Sequence, residues 1–465
     1  MHDDTIDIGF NLSTSLSTQH SFLVVHPKIR WGQNVSPPDE RNDELQLEEA
    51  ISLVKTIPGF SVSQSVIVGT DYTTKKKQIW GQGRIDSLIK IKAALRVSAI
   101  MVNVEMLTPL QQTTLFEIFQ VPIYDRYNIV LAIFKHFAKT KLAHYQIQLA
   151  ELPYIKHRLH YLESNKVNGD ILHVGDVTRA LSKTGLDRKE LLRLREQVLR
   201  KRIKDSIEST KHGIEEQRIR YEKKNVNTPL TVAVVGYTNV GKTNLIKTLT
   251  GSSQLQPENK LFATLDTTIH PLVLPSKSNI FIADTIGFIS SLPVGLFESF
   301  SATLMHATSA NLLIHVFDLS HPDVFAQKKN VMKTLIEMKF PSKLIENMIH
   351  VGNKIDIISE EKKDELYKSG ILSENDLVIS SKTGYGVNEL ILKIDKCVMK
   401  INNSHIRRFK LKPESKIVSY LYENGLVTSE PVVSECGKYL IYDTCLNENQ
   451  FNKLKKRMGS IKKKQ

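Results

Sequence analysis

Gly236-Tyr237-Thr238-Asn239-Val240-Gly241-Lys242-Thr243 decides the fold of this chain. Ahead of it, Leu230 to Val235 is a β-branched, apolar run that reads as a buried strand. Behind it, Asn244 to Leu249 reads as the opening turns of a helix. Strand, glycine-rich loop and helix in that order form a phosphate-binding loop. Backbone N–H groups of such a loop, and the open helix N-terminus, converge on a polyanion. Gly236 and Gly241 permit a tight turn and a close backbone approach. Lys242 is placed to reach the β- and γ-phosphates, and the Thr243 hydroxyl to ligate Mg2+.

Working outward, residues about 228–402 continue the same logic as a doubly wound, mostly parallel α/β domain. Phe281-Ile282-Ala283 is a strand that delivers Asp284-Thr285-Ile286-Gly287. An acid at such a strand end can hold the Mg2+ shell, and the Gly287 N–H can touch the γ-phosphate. Asn311 to Phe317 and Ile349 to Gly352 read as further buried strands, the second ending in Asn353-Lys354-Ile355-Asp356. A carboxylate at Asp356 can accept two hydrogen bonds from guanine, and adenine offers no such pair of donors. The wrong base then leaves a buried charge unpaired, which discriminates strongly. Asp376 to Ile379 is the last expected strand, and the backbone of Ser380-Ser381-Lys382 after it can face the guanine oxygen. The nucleotide called for is therefore GTP or GDP.

Around this domain the chain divides into further segments. Residues 1–18 read as a disordered N-terminus and 19–126 as an α/β domain of alternating strands and helices. Within it, Gly81-x-Gly83 reads as a helix-entry turn rather than a second nucleotide loop. From 127 to 227 strand signals vanish. Leu142, Tyr145, Leu149, Leu152, Leu159 and Leu162 form a helical seam interrupted by Pro153, and a second helix runs from about Leu186 to Tyr221. Two such helices make a long hairpin. Its second arm carries Arg193, Arg195, Arg200, Lys201, Arg202 and Lys204, either a solvated face or a surface for phosphate contact. Residues 403–465 read as a small α+β domain ending in a basic tail from Lys453 to Lys464.

Composition narrows the partners. The 465 residues carry a net charge of +14, which points toward a polyanion, nucleic acid first. No apolar run approaches the ~18 residues a membrane span needs, so no membrane partner is expected. Cys397, Cys436 and Cys445 have no metal-ligand spacing and fit free thiols in a reducing compartment.

With these residues in view, the chain resembles the HflX-type branch of the translation-factor-class GTPases. Leu261-Phe262-Ala263-Thr264-Leu265-Asp266 is similar to that family's first switch, and Asp284 to Ile289 to its second. Trp80-Gly81-Gln82-Gly83-Arg84 and Tyr124-Asp125-Arg126 resemble landmarks of its N-terminal domain. His26 to Gly32 and Glu298 to Leu304 resemble its animal members. The family usually carries Gly-x-Gly-Glu in the hairpin connection, where Val174-Gly175-Asp176-Val177 stands here. The resemblance implies that Thr264 is a second Mg2+ ligand closing on the γ-phosphate. Catalysis then rests on Lys242, Thr264, Gly287 and Asn239, the last either holding K+ as a further cation or serving as a structural loop residue that bonds backbone. It also implies a monomer that binds the large ribosomal subunit and its rRNA, not DNA, and splits, recycles or rescues ribosomes. The alternative is a GTP-gated assembly factor for the large subunit. Kinship points to the mitochondrion; Asp3, Asp4 and Asp7, with no arginine before Arg30, point to the cytoplasm instead.

Overall fold

The computed structural model describes residues 19–29, 42–70, 77–138, 140–164, 188–223, 230–252, 268–289, 309–435 and 437–462. They fall into two compact units, one built from the chain up to Glu208 together with Phe288 and Ile289, and one from the rest of the described residues.

The first unit is centred on a four-stranded parallel sheet of order β2-β1-β3-β4. Its strands are β1 (His20–Ile29), β2 (Phe60–Thr70), β3 (Ala99–Val102) and β4 (Ile123–Asp125). Phe22 to Val25 are fully buried because helices cover both faces, which is why β1 reads as a continuous apolar run. The helices are α1 (Asp43–Thr56), α2 (Gln82–Ala94), α3 (Pro109–Phe119) and α4 (Arg126–Phe137). Gly81 is the N-cap of α2, so the Gly81-x-Gly83 pair opens a helix as expected. Thr108 and Asp125 close capping boxes on α3 and α4, satisfying amide groups that a helix start leaves open.

The sequence starts the hairpin at residue 127, where strand signals end; α4 packs on α1, β4 and α5, burying Tyr127, Ile129, Val130, Ile133 and Phe134. The chain then breaks before α5 (Lys141–Ser164), which runs through Pro153. The next helix, α6 (Arg188–Lys223), lies antiparallel to α5. Arg202 sits over the Tyr145 ring, while Arg195 acts electrostatically on Glu151, an order of partners that runs opposite ways along the two helices. Glu151 itself pairs with Lys135 of α4. Residues 1–18, the hairpin connection with Val174 to Val177, and Glu298 to Leu304 lie outside the described residues.

The second unit holds a six-stranded sheet of order β10-β9-β8-β5-β7-β6. These strands are β5 (Leu230–Gly236), β6 (Thr268–Val273), β7 (Asn279–Asp284), β8 (Leu312–Asp318), β9 (Ile349–Asn353) and β10 (Leu377–Val378). All pairings are parallel except β6 with β7. The helices α7 (Lys242–Thr250), α8 (Val324–Glu337), α9 (Ser342–Glu346), α10 (Glu360–Lys368) and α11 (Val387–Ile401) link the strands. β8 is buried at every residue, as a central strand covered on both sides must be. The turn between β6 and β7 is fastened to α11. The buried Asp395 carboxylate accepts from Ser276 N at 3.0 Å and from Ser276 Oγ at 2.5 Å.

The chain ends in β11 (Ser404–Leu411), α12 (Lys416–Glu423), β12 (Val432–Val433), β13 (Leu440–Asn447) and α13 (Glu448–Lys462). The sheet is antiparallel, of order β11-β13-β12, with Leu411, Leu421, Tyr442, Leu446 and Leu454 in a shared core. A strand over Val427 to Val433 is expected from the sequence, but only Val432–Val433 pairs as one. Pro431 cannot donate into the ladder. Val427 keeps an isolated bridge to Thr444. Among the described residues no helix is long and apolar enough to cross a membrane.

Candidate nucleotide site

The loop from Gly236 to Gly241 joins the buried end of β5 to the first turn of α7. Asn239 and Gly241 take φ of +61° and +93°, which turns the loop back over the strand end. Lys242 then points inward, and its ammonium donates to the Tyr237 carbonyl at 2.7 Å and the Gly236 carbonyl at 3.2 Å. Among the described residues no carboxylate lies within ion-pair distance of it. Burial pushes its pKa down to about 8, opposed in part by Asp284. A buried ammonium held only by carbonyl dipoles retains most of its desolvation cost, and an anion at the loop would offset it.

Asp284 ends β7 beside the loop and accepts from Thr243 Oγ1 at 2.7 Å. Thr285 is turned inward, bonding the Val234 carbonyl at 2.6 Å. Gly287 lies against the loop so closely that a Cβ there would meet Thr238 Cγ2 at 2.7 Å and Lys242 Nζ at 3.0 Å. Thr238 Oγ1 is buried with no hydrogen-bond partner among the described residues. These groups supply a cation, hydroxyls and a carboxylate at one helix N-terminus, the donor set that a magnesium–polyphosphate complex requires.

The second cluster stands at the ends of β9 and β10. Asn353, fully buried, donates from Nδ2 to the Val240 carbonyl at 2.7 Å and to Ser381 Oγ at 3.1 Å, and accepts from Ser381 N at 2.9 Å. One side chain thus ties the phosphate loop to the Ser380-Ser381-Lys382 turn. Lys354 takes φ +67°, a backbone costing about 1–2 kcal/mol, and its ammonium pairs with Asp318 at 2.7 Å. Asp356 is exposed, one carboxylate oxygen accepting from Ser380 Oγ at 2.7 Å. Ser380 Oγ in turn accepts from Thr383 N at 3.1 Å. Ile355 N donates to the Ile379 carbonyl and Ile379 N to that of Gly352, so the two turns are mutually fixed. Lys382 is exposed at the outer lip.

Comparison with known proteins follows the same division. A family model described as "50S ribosome-binding GTPase" matches residues 231–354, and one described as "GTP-binding GTPase N-terminal" matches residues 44–135. The chain is 35% identical over 421 residues to "Putative GTP-binding protein 6" of Homo sapiens, covering 89% of this chain and 77% of the relative. It is 33% identical over 382 residues to "GTPase HflX" of Caldanaerobacter subterraneus subsp. tengcongensis, covering 80% of each. The chain belongs to the HflX GTPase family. An Arabidopsis thaliana relative, "GTP-binding protein At3g49725, chloroplastic", is 35% identical over 318 residues, covering 62% of this chain and 50% of that one.

This HflX-family GTPase brings Gly236 to Thr243, Asp284 to Gly287, Asn353 to Asp356 and Ser380 to Lys382 to one end of one sheet. That edge, at the carboxyl ends of the strands, is where open α/β sheets bind ligands. Phe262, Ala263, Thr264, Leu265 and Asp266 lie outside the described residues. Three contributors lie outside the sequence motifs. Asn244 Nδ2 donates to Ser381 Oγ at 3.0 Å, and Thr248 Oγ1 to the Ser381 carbonyl at 2.8 Å. These two share a helix face at i, i+4 spacing directly after the loop, the signal that reveals them. Asp318 closes β8 and anchors Lys354; its position at a strand end is its signal.

The site glycines answer to different masters. A Cβ on Gly236 would stand 2.2 Å from the Val316 carbonyl of β8, a clash with the sheet itself. One on Gly241 would meet Asn353 Nδ2 at 2.5 Å. Beside the loop strand, His315 is fully buried on β8 with its Nδ1 3.2 Å from that of His350 on β9. Burial, and then His350, hold its pKa well below the usual imidazole range, so both rings are neutral at physiological pH.

Proposed function

We propose that this GTPase acts on the large ribosomal subunit, binding it in the GTP state and driving ribosome splitting, recycling or rescue. The observation that carries the reading is the buried Lys242 ammonium, which among the described residues has only carbonyl acceptors, at one edge with a guanine-type carboxylate at Asp356. Lys242 would bind the β- and γ-phosphates and Gly287 N–H the γ-phosphate. Thr243, with Asp284 behind it and Thr264 from the first switch, would hold Mg2+, whose chemistry is to neutralise charge on the phosphates. Asp356 would select guanine, with Ser380 Oγ fixing one of its oxygens. Asn239, exposed at φ +61°, would contribute to a K+ site.

The basic arm of α6 and the net charge of +14 support rRNA as the partner. The family model's description as ribosome-binding supports the same choice. Kinship with an organellar plant protein and with animal members supports a mitochondrial site of action, which imaging of a fluorescently tagged full-length protein would test.

A second reading, a GTP-gated assembly factor, is favoured by Phe288. This residue follows Gly287, is apolar and is only 3% exposed, so it cannot orient an attacking water. Slow intrinsic turnover of that kind suits hydrolysis used as a release step. Gradient sedimentation decides. Intact ribosomes incubated with the protein and a non-hydrolysable GTP analogue should separate into subunits, with the protein on the large one. Residence on immature large subunits without splitting would select the assembly reading. Equal ribosome association with GDP and the GTP analogue would defeat both.

A further inference from the structure

We propose that the C-terminal α+β segment carries a second contact for RNA phosphate, centred on Phe451 and distinct from the basic arm of α6. It rests on the reading of rRNA as the partner. Arg407 of β11 and Lys455 of α13 both lie over the Phe451 ring, at 3.6 and 4.7 Å from its centroid. Those distances hold the two cations within roughly 8 Å of each other, close enough to repel outside bulk water. Among the described residues neither has a carboxylate within ion-pair distance, and Arg407 Nε is buried without a hydrogen-bond partner. The adjacent Arg408, on the other face of β11, is treated differently: its Nε bonds Asp443 at 2.8 Å. The strand thus neutralises one arginine and leaves its neighbour charged.

Stacking on a ring uses the face of a guanidinium and leaves its in-plane N–H groups for an acceptor. It also restricts a long side chain in advance, so less freedom is lost when a phosphate arrives. Around the same helix, Lys456 is exposed and Arg457 sits 4.3 Å from the Tyr420 ring centroid. Residues 404–462 contain eleven Lys or Arg against six Asp or Glu. Cations at three consecutive helix positions splay around α13, which suits a succession of separate backbone charges rather than one carboxylate. RNA fits this better than an acidic peptide does.

The test uses the full chain and a short RNA hairpin, with affinity read by anisotropy across a KCl series. The variant Lys455→Glu with Lys456→Glu should bind about tenfold or more weakly. Its plot of log affinity against log salt should flatten by about 1–2 units, the counterions no longer released. GTP turnover without RNA should be unchanged, which establishes that the variant is folded. Arg407→Lys, which keeps the charge and loses the planar fork, should weaken binding several-fold with the slope nearly preserved. An unchanged slope in the double variant overturns the proposal. Polyglutamate competing as well as RNA of equal charge also overturns it, assigning the face to an acidic protein. Ribosome gradients with the same proteins separate the two readings. Wild type absent from large subunits while the hairpin result holds would remove the ribosome assignment alone; the converse would remove this surface alone.

Discussion

The carboxyl edge of the β2-β1-β3-β4 sheet and that of the six-stranded sheet both gather buried polar side chains. At the first, Arg126 donates to Glu49 at 2.8 Å and to Asn103 Oδ1 at 3.3 Å. Asn103 Nδ2 reaches His26 Nδ1 at 3.0 Å and the Gln46 carbonyl at 3.2 Å. Burial lowers the His26 pKa, which suits its neutral, accepting role. Asp125 caps α4 and also receives Leu107 N at 3.0 Å. Each charge there has an internal partner. At the second edge Lys242 has carbonyl acceptors but, among the described residues, no carboxylate within ion-pair distance, and the nearby acid, Asp284, bonds Thr243. A buried charge facing an opposite charge holds a fold, whereas a buried cation left with dipoles marks where a ligand belongs. Two edges of the same architecture can therefore be told apart by their hydrogen bonds alone.

The sharpest way to break this contrast is Lys242→Ala. It should reduce GTP affinity by at least ~100-fold, since charge-assisted bonds are worth about 1.5–3 kcal/mol each. The denaturation midpoint of the nucleotide-free protein should not fall. Calorimetric titration showing wild-type affinity would dismiss the assignment. Arg126→Leu should do the opposite, costing about 3 kcal/mol of stability through its lost hydrogen bonds to the half-buried Glu49 and to Asn103. Turnover per folded molecule should be untouched; a stability loss under about 1 kcal/mol in urea melts would refute the self-satisfied network.

Asp356→Asn should weaken GTP by about 2–3 kcal/mol and improve xanthosine triphosphate, because the new amide offers a donor to a carbonyl. Retained guanine preference in a competition assay counts against base selection by this residue.

Lys242 also predicts a pH signature. Below about pH 8 folded and unfolded chains both hold its proton, and the cost of burying the charge is fully present. Between about 8 and the ordinary 10.5 the unfolded chain binds more protons, so this residue makes the nucleotide-free protein more stable as pH rises through that window. Bound phosphates favour the ammonium, so Lys242 should leave GTP affinity level below pH 8 and lower it by up to ~tenfold per unit above. Affinity that stays level to pH 9.5 would show the lysine is not in contact. The smallest effect is at Asn239. Its replacement by Ala should abolish any excess of turnover in KCl over NaCl, a rate difference of about 1 kcal/mol or less. Equal rates in the two salts for wild type would remove K+ from the site.

Much of the nucleotide edge was legible because its residues are local. Gly241, Lys242 and Thr243 must be consecutive for a loop to become a helix N-terminus, and Asn353 to Asp356 must follow a strand. What the sequence withheld is nonlocal. Nothing near Asn353 states that its amide grips Val240, or that Asn244 and Thr248 reach across to Ser381. The sequence starts the hairpin at residue 127, where strand signals end, and nothing local says that α4 packs on α1 and β4 as well as on α5. β6 went unread since its exposed, antiparallel edge alternates too weakly, and Pro431 shortened a strand expected to begin at Val427.

Gly236 has a consequence for how such a protein would decay. Its hydrogen faces the Val316 carbonyl, so the sheet forbids any larger residue there whether or not a nucleotide is ever bound. In a descendant copy freed from GTP, Lys242 and Asp356 should drift while Gly236 persists. A surviving first glycine is therefore a fossil of the fold, and only the lysine testifies to the ligand.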